Sequence, residues 1–377
     1  MKHLNLLVLV LFSASFAQSF FNLNGLGEVT QPQDARTIAI GNPLALTIAN
    51  PGNFIELSRT TIKTSVLGTG IIAHQHGNKR AQATVRPGAL YTALPVFNRS
   101  RILFSVDSRF NQDFDVWSES IADTTTRYHI VNRGGVYALN IGIAQSILNH
   151  ICLGAQFQQL LGGTRENWHY WAEGIVATDT IEIDYTGRSF RLGSAVRFSI
   201  LTLGATWDLP FNLTAVSYKH LHGVATDSLT TYHLHLPSTL NFGISARPNA
   251  KATINAGLEI RNWANTTINH NPTGYQNTWR GAVGIEYDFS PGYPVRFGYS
   301  KSRWYYNTAA GQPISESGIC LGAGIPLPKF GALDIAGELL FRNGRTPGGW
   351  LGETAGRLNI TLAYEEYWAK RTRRWGY

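Results

Sequence analysis

Between Tyr232 and Tyr306 apolar and polar residues alternate through strand after strand, and the connections between those strands are by turns very short and long. From Trp279 to Phe289 the odd positions Trp279, Val283, Ile285, Tyr287 and Phe289 are apolar, with Gly281 among them, while Arg280, Glu286 and Asp288 take even ones. Side chains of a strand point alternately to its two faces, so one face is greasy and the other charged. Thr253 to Trp263 repeats the arrangement, with Ile254, Ala256, Leu258 and Ile260 against Asn255, Glu259 and Arg261, and Leu240 to Ala246 does so more weakly. A five-residue turn, Arg247 to Lys251, and a long polar run, Ala264 to Asn277, separate the three strands. A soluble sandwich gives no reason for that asymmetry, whereas an outer-membrane barrel has short periplasmic turns and long outer loops.

Extended along the chain, the pattern predicts an all-β fold: a transmembrane, antiparallel, up-and-down β-barrel of about fourteen strands. They fall near 62–74, 81–94, 101–112, 134–147, 151–161, 187–198, 200–207, 230–246, 252–263, 278–289, 294–305, 318–325, 332–342 and 357–367. From the second strand on, short connections (95–100, 148–150, 199, 247–251, 290–293, 326–331) alternate with long ones (113–133, 162–186, 208–229, 264–277, 306–317, 343–356). An even strand number leaves both ends in the periplasm and lets the sheet close, which removes edges that hydrocarbon cannot satisfy. The last strand sets Leu358, Ile360, Leu362 and Tyr364 on one face and ends in Tyr367 and Trp368, a pair suited to an interfacial girdle.

Flanking segments complete a four-part division. Residues 1–17 read as a signal peptide, with Lys2, the apolar run Leu4 to Phe12, and the small residues Ser15 and Ala17 before the cut. Residues 18–60 lack a strand period and are rich in Asn, Gly and Pro; the apolar cluster Ile38 to Ile48 ends in a turn at Asn50, Pro51 and Gly52. That segment is either a plug within the barrel or a periplasmic extension. Residues 61–368 are the barrel, and 369–377, with Lys370, Arg371, Arg373 and Arg374, a basic periplasmic tail.

Composition supports one continuous unit. Charged residues are 15% of the chain, and its 38 glycines, 10 tryptophans, 16 tyrosines and 18 phenylalanines suit strands, turns and aromatic girdles. The net charge of +8 is scattered rather than gathered in a stripe, so the expected partners are outer-membrane lipids or an anionic substrate and not nucleic acid. Cys152 and Cys320 sit far apart in apolar strand patterns and read as packing or lipid-facing residues rather than a disulfide.

Several stretches resemble the long-chain fatty acid transporter (FadL) family of outer-membrane proteins. They are Leu236 to Trp263 (LPSTLNFGISARPNAKATINAGLEIRNW), Arg188 to Trp207 and Leu139 to Phe157, each a strand, short turn and strand. The Asn50-Pro51 pair resembles the Asn-Pro-Ala that ends that family's N-terminal hatch, with Gly52 in place of the alanine. The resemblance implies a fourteen-stranded barrel plugged by its N-terminal segment. It also implies passive uptake of hydrophobic or amphipathic molecules such as long-chain fatty acids, released sideways through a gap in the wall. The barrel assembly machinery of a Gram-negative-type outer membrane is the partner implied for insertion.

An amphipathic acid needs an apolar cavity and a few basic groups for its carboxylate. Arg261, Arg280, Arg342 and Arg357 fall on inward positions near the outer ends of strands 9, 10, 13 and 14, as candidate contacts for an anionic headgroup. They also have lumen acids within reach of pairing, Glu259, Glu286 and Glu338 among them. Three close histidine pairs (His74/His76, His220/His222, His233/His235) lack a cysteine or carboxylate cluster to complete a metal site, so no cofactor is expected. No nucleophile-elbow, zinc-protease or phosphate-loop motif is present, and no enzyme activity is expected. Trp117, Trp168 and Trp171 in the outer loops read as interfacial anchors. Three other readings stay open: a barrel serving protein secretion or surface anchoring, a general porin, and a barrel hydrolase whose serine and histidine meet across strands.

Overall fold

The computed structural model describes residues 19–23, 25–30, 34–53, 59–75, 78–97, 99–119, 127–148, 150–172, 175–221, 224–308, 311–328, 330–346 and 349–367. The expected signal peptide, the basic tail, Trp368, His76 and His222 lie outside them. Among the described residues no helix is long and apolar enough to cross a membrane; the strands do so instead.

Strands follow one another around a closed antiparallel wall of fourteen spans. The first two are β2 (Arg59–Gln75) and β3 (Asn78–Phe97), and the third is split into β4 (Ser100–Asn111) and β5 (Phe114–Glu119). Then come β6 (Arg127–Leu148), β7 (Ile151–Ala172) and β8 (Ile175–Phe198). The seventh span is split into β9 (Leu201–Asp208) and β10 (Phe211–Leu221), the eighth into β11 (Val224–Leu236) and β12 (Thr239–Ala246). β13 (Ala252–Arg261), β16 (Thr278–Ser290), β17 (Tyr293–Asn307), β18 (Pro313–Leu327), β19 (Gly331–Thr346) and β20 (Gly349–Tyr367) complete the circuit. Closure is by β20 against β2, in register from Arg59 opposite Tyr367 to Gln75 opposite Leu351.

The alternation sorts as the sequence implies. Val283, Ile285, Tyr287 and Phe289 are exposed on the outer surface, as are Ile254, Leu258, Leu358, Ile360 and Leu362, whereas Arg296, Arg342 and Glu338 are buried within. Both cysteines are buried and inward-facing: Cys152 packs with Ala93, Leu103 and Ala144, so neither meets lipid.

The short connections lie where expected, but most of the long ones are not loops. β7 runs on to Ala172 and β8 starts at Ile175, so nearly all of 162–186 is strand; β10 and β11 occupy most of 208–229, and β19 and β20 most of 343–356. Among the described residues, 264–277 alone keeps a long looped course, carrying the small hairpin of β14 (Thr267–Ile268) and β15 (Asn271–Pro272). Since a tilted strand crosses the hydrocarbon in about ten residues, the 22 and 24 residues of β7 and β8 carry the wall well beyond it. Both faces of that projection meet water, which erases the period-two signal. On its outer face Trp117 stacks on His129 at 4.1 Å and on Trp171 at 5.2 Å; on the opposite face of β7 Trp168 donates its indole N–H to Glu166 at 2.5 Å.

The described residues between 19 and 53 lie inside the barrel. A 3-10 turn, Phe20–Leu23, leads to β1 (Glu28–Val29) and then to α1 (Ala35–Ala39), capped where the Thr37 N–H donates to Asp34 Oδ1 at 2.7 Å. The chain then turns through Gly41 (φ 82°) and Asn42 (φ 64°) and circles the inner wall to the turn at Asn50. Eight consecutive spans present it with a glycine: Gly154, Gly193, Gly204, Gly243, Gly257, Gly284, Gly298 and Gly322. At each one an added Cβ would come under 3.0 Å from an atom of residues 39–51. A side chain on the wall would hold the two backbones apart; the glycines let them touch.

Candidate functional site

β3 and β4 part company partway up the wall. They pair only from Leu90 opposite Val106 down to Phe97 opposite Ser100, and among the described pairings β3 residues 78–89 meet β2 alone while β5 meets β6 alone. Pro87, which offers no N–H, stands on β3 where the edges separate. On the other side a bulge between Ser108 and Phe110 bends β4.

The N-terminal segment takes up the edge so exposed. Glu28 pairs with Asn111 and Val29 with Phe110, the Thr30 N–H donates to the Arg109 carbonyl at 3.0 Å, and Asn22 donates to the Asp113 carbonyl at 2.8 Å. The seam is therefore lined by a strand from the lumen rather than by the next strand of the barrel.

Glu28 anchors that strand from its other face. Arg342 reaches it at 2.6 Å and Arg357 hydrogen-bonds the same oxygen. Arg342, wholly buried, also holds Glu316 at 2.6 Å and Glu353 at 3.5 Å, donates to Ser19 Oγ at 3.1 Å, and lies 5.2 Å from the centre of the Trp304 ring. Arg357 reaches Glu338 at 3.4 Å, and Arg280 stands 3.9 Å from Glu316 and donates to the Gly41 carbonyl at 3.3 Å. Arg261 pairs with Glu259 at 3.4 Å beside the Trp263 ring. Buried charges are tolerable only when paired and hydrogen-bonded, so this network ties four wall strands to the luminal segment.

Burial alone would raise the pKa of Glu28, but the guanidiniums of Arg342, Arg357 and Arg86 outweigh it and hold the carboxyl near about 2. A carboxyl depressed in the folded state contributes fully above its ordinary value of 4.5 and loses that contribution as pH falls toward 2. Solute leakage through the protein in liposomes is therefore expected to stay flat down to about pH 4 and to rise below it; a rise already at pH 6 contradicts the assignment.

Above the charges the lumen is closed by an apolar core: Phe21 and Leu26 of the N-terminal segment meet Phe110, Val136, Leu160, Leu213, Leu236, Trp263, Trp304 and Tyr305 from the wall. Between core and charges lies a cavity of about 70 Å³, with Trp263, Trp304 and Tyr305 on one side and Arg261, Arg280, Arg357, Glu28 and Glu316 on the other. With a water needing roughly 10–15 Å³ by this measure, it holds a handful of waters or one polar headgroup.

Three of the four arginines singled out in the sequence thus line one cavity, and Arg342 stands behind it. Glu338 and Glu259 pair with them as foreseen; Glu286 instead takes Arg36 at 3.0 Å and Arg296 at 2.5 Å. The sequence reading missed Glu28, which sits outside any strand period, although it is the only charged residue between Gln18 and Gln33. The turn residues dock on the wall: Asn50 donates to the carbonyls of Ala45 (2.7 Å) and Ser194 (3.0 Å), and its Oδ1 accepts from the Gly52 N–H at 2.8 Å. At Gly52 a Cβ would lie 2.6 Å from Ser194 Cα, so the alanine of the related motif has no room here. His235 bonds Asn212 at 2.8 Å and His220 stands 4.0 Å from Glu182; among the described residues no group of three or more His, Cys, Asp or Glu is placed to hold a metal.

The closed fourteen-span antiparallel barrel matches the fold of FadL-type outer-membrane proteins. The toluene transporter TodX of P. putida superposes with a TM-score of 0.59 at 14% identity, covering 89% of this chain and 98% of its own. A Pseudomonas aeruginosa FadL homologue gives 0.62 at 14%, covering 93% and 98%, and the CymD monoaromatic hydrocarbon channel 0.60 at 12%, covering 95% and 98%. At such identities the likeness is one of fold. The chain belongs to the BamG family, whose model matches residues 2–374. Comparison with curated protein sequences gave no match. The protein is an integral β-barrel of the outer membrane.

Proposed function

We propose that the barrel passes small hydrophobic or amphipathic molecules down their own gradient, through the apolar upper lumen and out at the seam between β3 and β4. The observation that carries this reading is the seam itself: a stretch where β3 and β4 do not pair and a luminal strand lines the gap, with an aromatic and arginine-lined cavity directly behind it. The neighbours of the same fold are described as a toluene transporter, a FadL homologue and a monoaromatic hydrocarbon channel. In this role Arg261, Arg280 and Arg357 hold an anionic headgroup while the chain displaces side chains of the apolar core, and long-chain fatty acids are the finer substrate class. Turn residues Asn50, Pro51 and Gly52 end the hatch and pin it to the wall.

One observation favours a second reading. A cavity of about 70 Å³ is too small for a hydrocarbon chain without rearrangement, and a lumen so filled also suits a barrel that passes nothing. The family name, BamG, points to the outer-membrane barrel assembly machinery, where such a barrel would serve as a structural subunit.

Removing residues 20–59 and measuring uptake in liposomes separates the two. The transport reading expects the intact protein to admit a fluorescent fatty acid or toluene above the empty-liposome rate, and the deletion to raise leakage of small solutes as well. Uptake by the intact protein equal to that of empty liposomes, together with co-purification of the assembly machinery after mild extraction, would establish the second reading and sink the first.

A further inference from the structure

The cavity behind the seam is short of acceptors. Arg261 of β13, Arg280 of β16, Arg303 of β17 and Arg357 of β20 all line it, and among the described residues the buried Nε–H of each meets no hydrogen-bond acceptor. Arg357, at 9% exposure, is sealed from solvent. Buried donors are costly to leave unmade, and four of them around one space of about 70 Å³ call for a ligand whose surface is acceptor on several sides.

Ion pairing does not use these groups up. Arg261 and Arg357 hold their carboxylates through terminal guanidinium nitrogens: Glu259 at 3.4 Å for the first, Glu28 and Glu338 for the second. Arg280 gives one terminal nitrogen to the Gly41 carbonyl at 3.3 Å and keeps the other 3.9 Å from Glu316, beyond hydrogen-bond reach. Arg303 donates to the Gln276 side chain and, among the described residues, holds no carboxylate. Glu316 is satisfied from behind by Arg342 at 2.6 Å.

The arrangement of the donors selects the shape of the ligand. β13, β16 and β17 are the ninth, tenth and eleventh spans and β20 the fourteenth, so with strands about 4.8 Å apart the last stands roughly 14 Å further round a curved wall than the third. A carboxylate presents two oxygens in one plane and serves one side of such an arc; a tetrahedral oxyanion presents oxygens to both. The lining also carries the carboxylates of Glu28, Glu259, Glu316 and Glu338. Sulfate, which has no proton to give, meets only repulsion from them, whereas phosphate retains a hydroxyl at neutral pH and donates it to a carboxylate oxygen.

We propose, resting on the reading of this cavity as an anion site, that its ligand is phosphate, taken as the free ion or as the headgroup of a single-chain phosphate monoester whose tail enters the apolar core.

Equilibrium dialysis of radiolabelled inorganic phosphate against the full-length protein in detergent, at fixed ionic strength, reads the site. One phosphate per barrel is expected, with sulfate about tenfold poorer as a competitor. Arg303→Gln should bind about tenfold more weakly, and so should Arg303→Lys, which keeps the charge but loses the Nε–H. Neither strips a carboxylate of its cation, so both barrels are expected to fold, and their mobility on gels checks it. Arg197→Gln, an exposed position outside the cavity, should bind as the parent does. Dodecyl phosphate competing about tenfold better than inorganic phosphate assigns the site to a lipid headgroup, and equal or poorer competition to the free ion. Retention unchanged in both Arg303 variants overturns the proposal, as does sulfate competing as well as phosphate. No phosphate retained, with dodecanoate bound and weakened by Arg303→Gln, overturns it while leaving the carboxylate-headgroup reading in place. Failure of phosphate, dodecyl phosphate and dodecanoate alike overturns both.

Discussion

Replacing Arg342 with methionine is expected to lower the unfolding free energy of the barrel in lipid by about 3–5 kcal/mol, because three carboxylates are left buried together without their common partner. Glu28 would retain Arg357, and Glu316 would retain Arg280 at 3.9 Å, whereas Glu353 would be left with the hydrogen bond from Ser19 at 2.8 Å. The loss should not be additive. Adding Glu316→Gln and Glu353→Gln to Arg342→Met removes the like charges as well as the cation, and so should recover about 1–3 kcal/mol of the deficit. Urea unfolding followed by the mobility shift of the folded barrel on gels measures both. If Arg342→Met falls within about 1 kcal/mol of the parent, the network contributes no more than a surface ion pair and does not hold the segment.

That network shows where a sequence can be read and where it cannot. Strand β16 was legible because lipid imposes one chemistry on Val283, Ile285, Tyr287 and Phe289 while the lumen imposes another on Arg280 and Glu286. The same rule places Arg342 and Arg357 inward. It fails wherever one solvent meets both faces. Arg165, Glu166, Asn167, Trp168 and His169 are strand residues in β7, yet with water on each side nothing in their order reports it. It fails again in the lumen. Glu28 has no period to mark it, and its role depends on three arginines more than fifty residues distant in sequence. The glycines of the wall were visible as composition only. That eight of them share one level became evident through register, for instance Gly204 opposite Gly243 and Gly243 opposite Gly257.

Those glycines carry the second large expectation: substituting alanine for both Gly284 and Gly298 should displace the luminal segment while leaving the barrel closed. The two are direct partners in the β16–β17 pair, and the atoms their new methyls would meet are backbone, the Ile40 carbonyl group for one and Gly41 N and Ala39 O for the other. Backbone in a tight turn cannot rotate aside as a side-chain tip does, so overpacking of this kind costs about 1–3 kcal/mol per site. The cost falls on docking, because the strands keep their ladder. Gly337 and Gly356 provide the internal control: an added Cβ there meets nothing nearer than 4.0 and 3.8 Å, and alanine at those sites should be neutral or stabilising by up to about 1 kcal/mol. Proteolysis within residues 19–53 and leakage of small solutes should therefore both rise in Gly284→Ala/Gly298→Ala and in neither control. Equal behaviour of the two pairs would mean that the wall and the segment yield to each other, and that close backbone contact is not what seals the lumen.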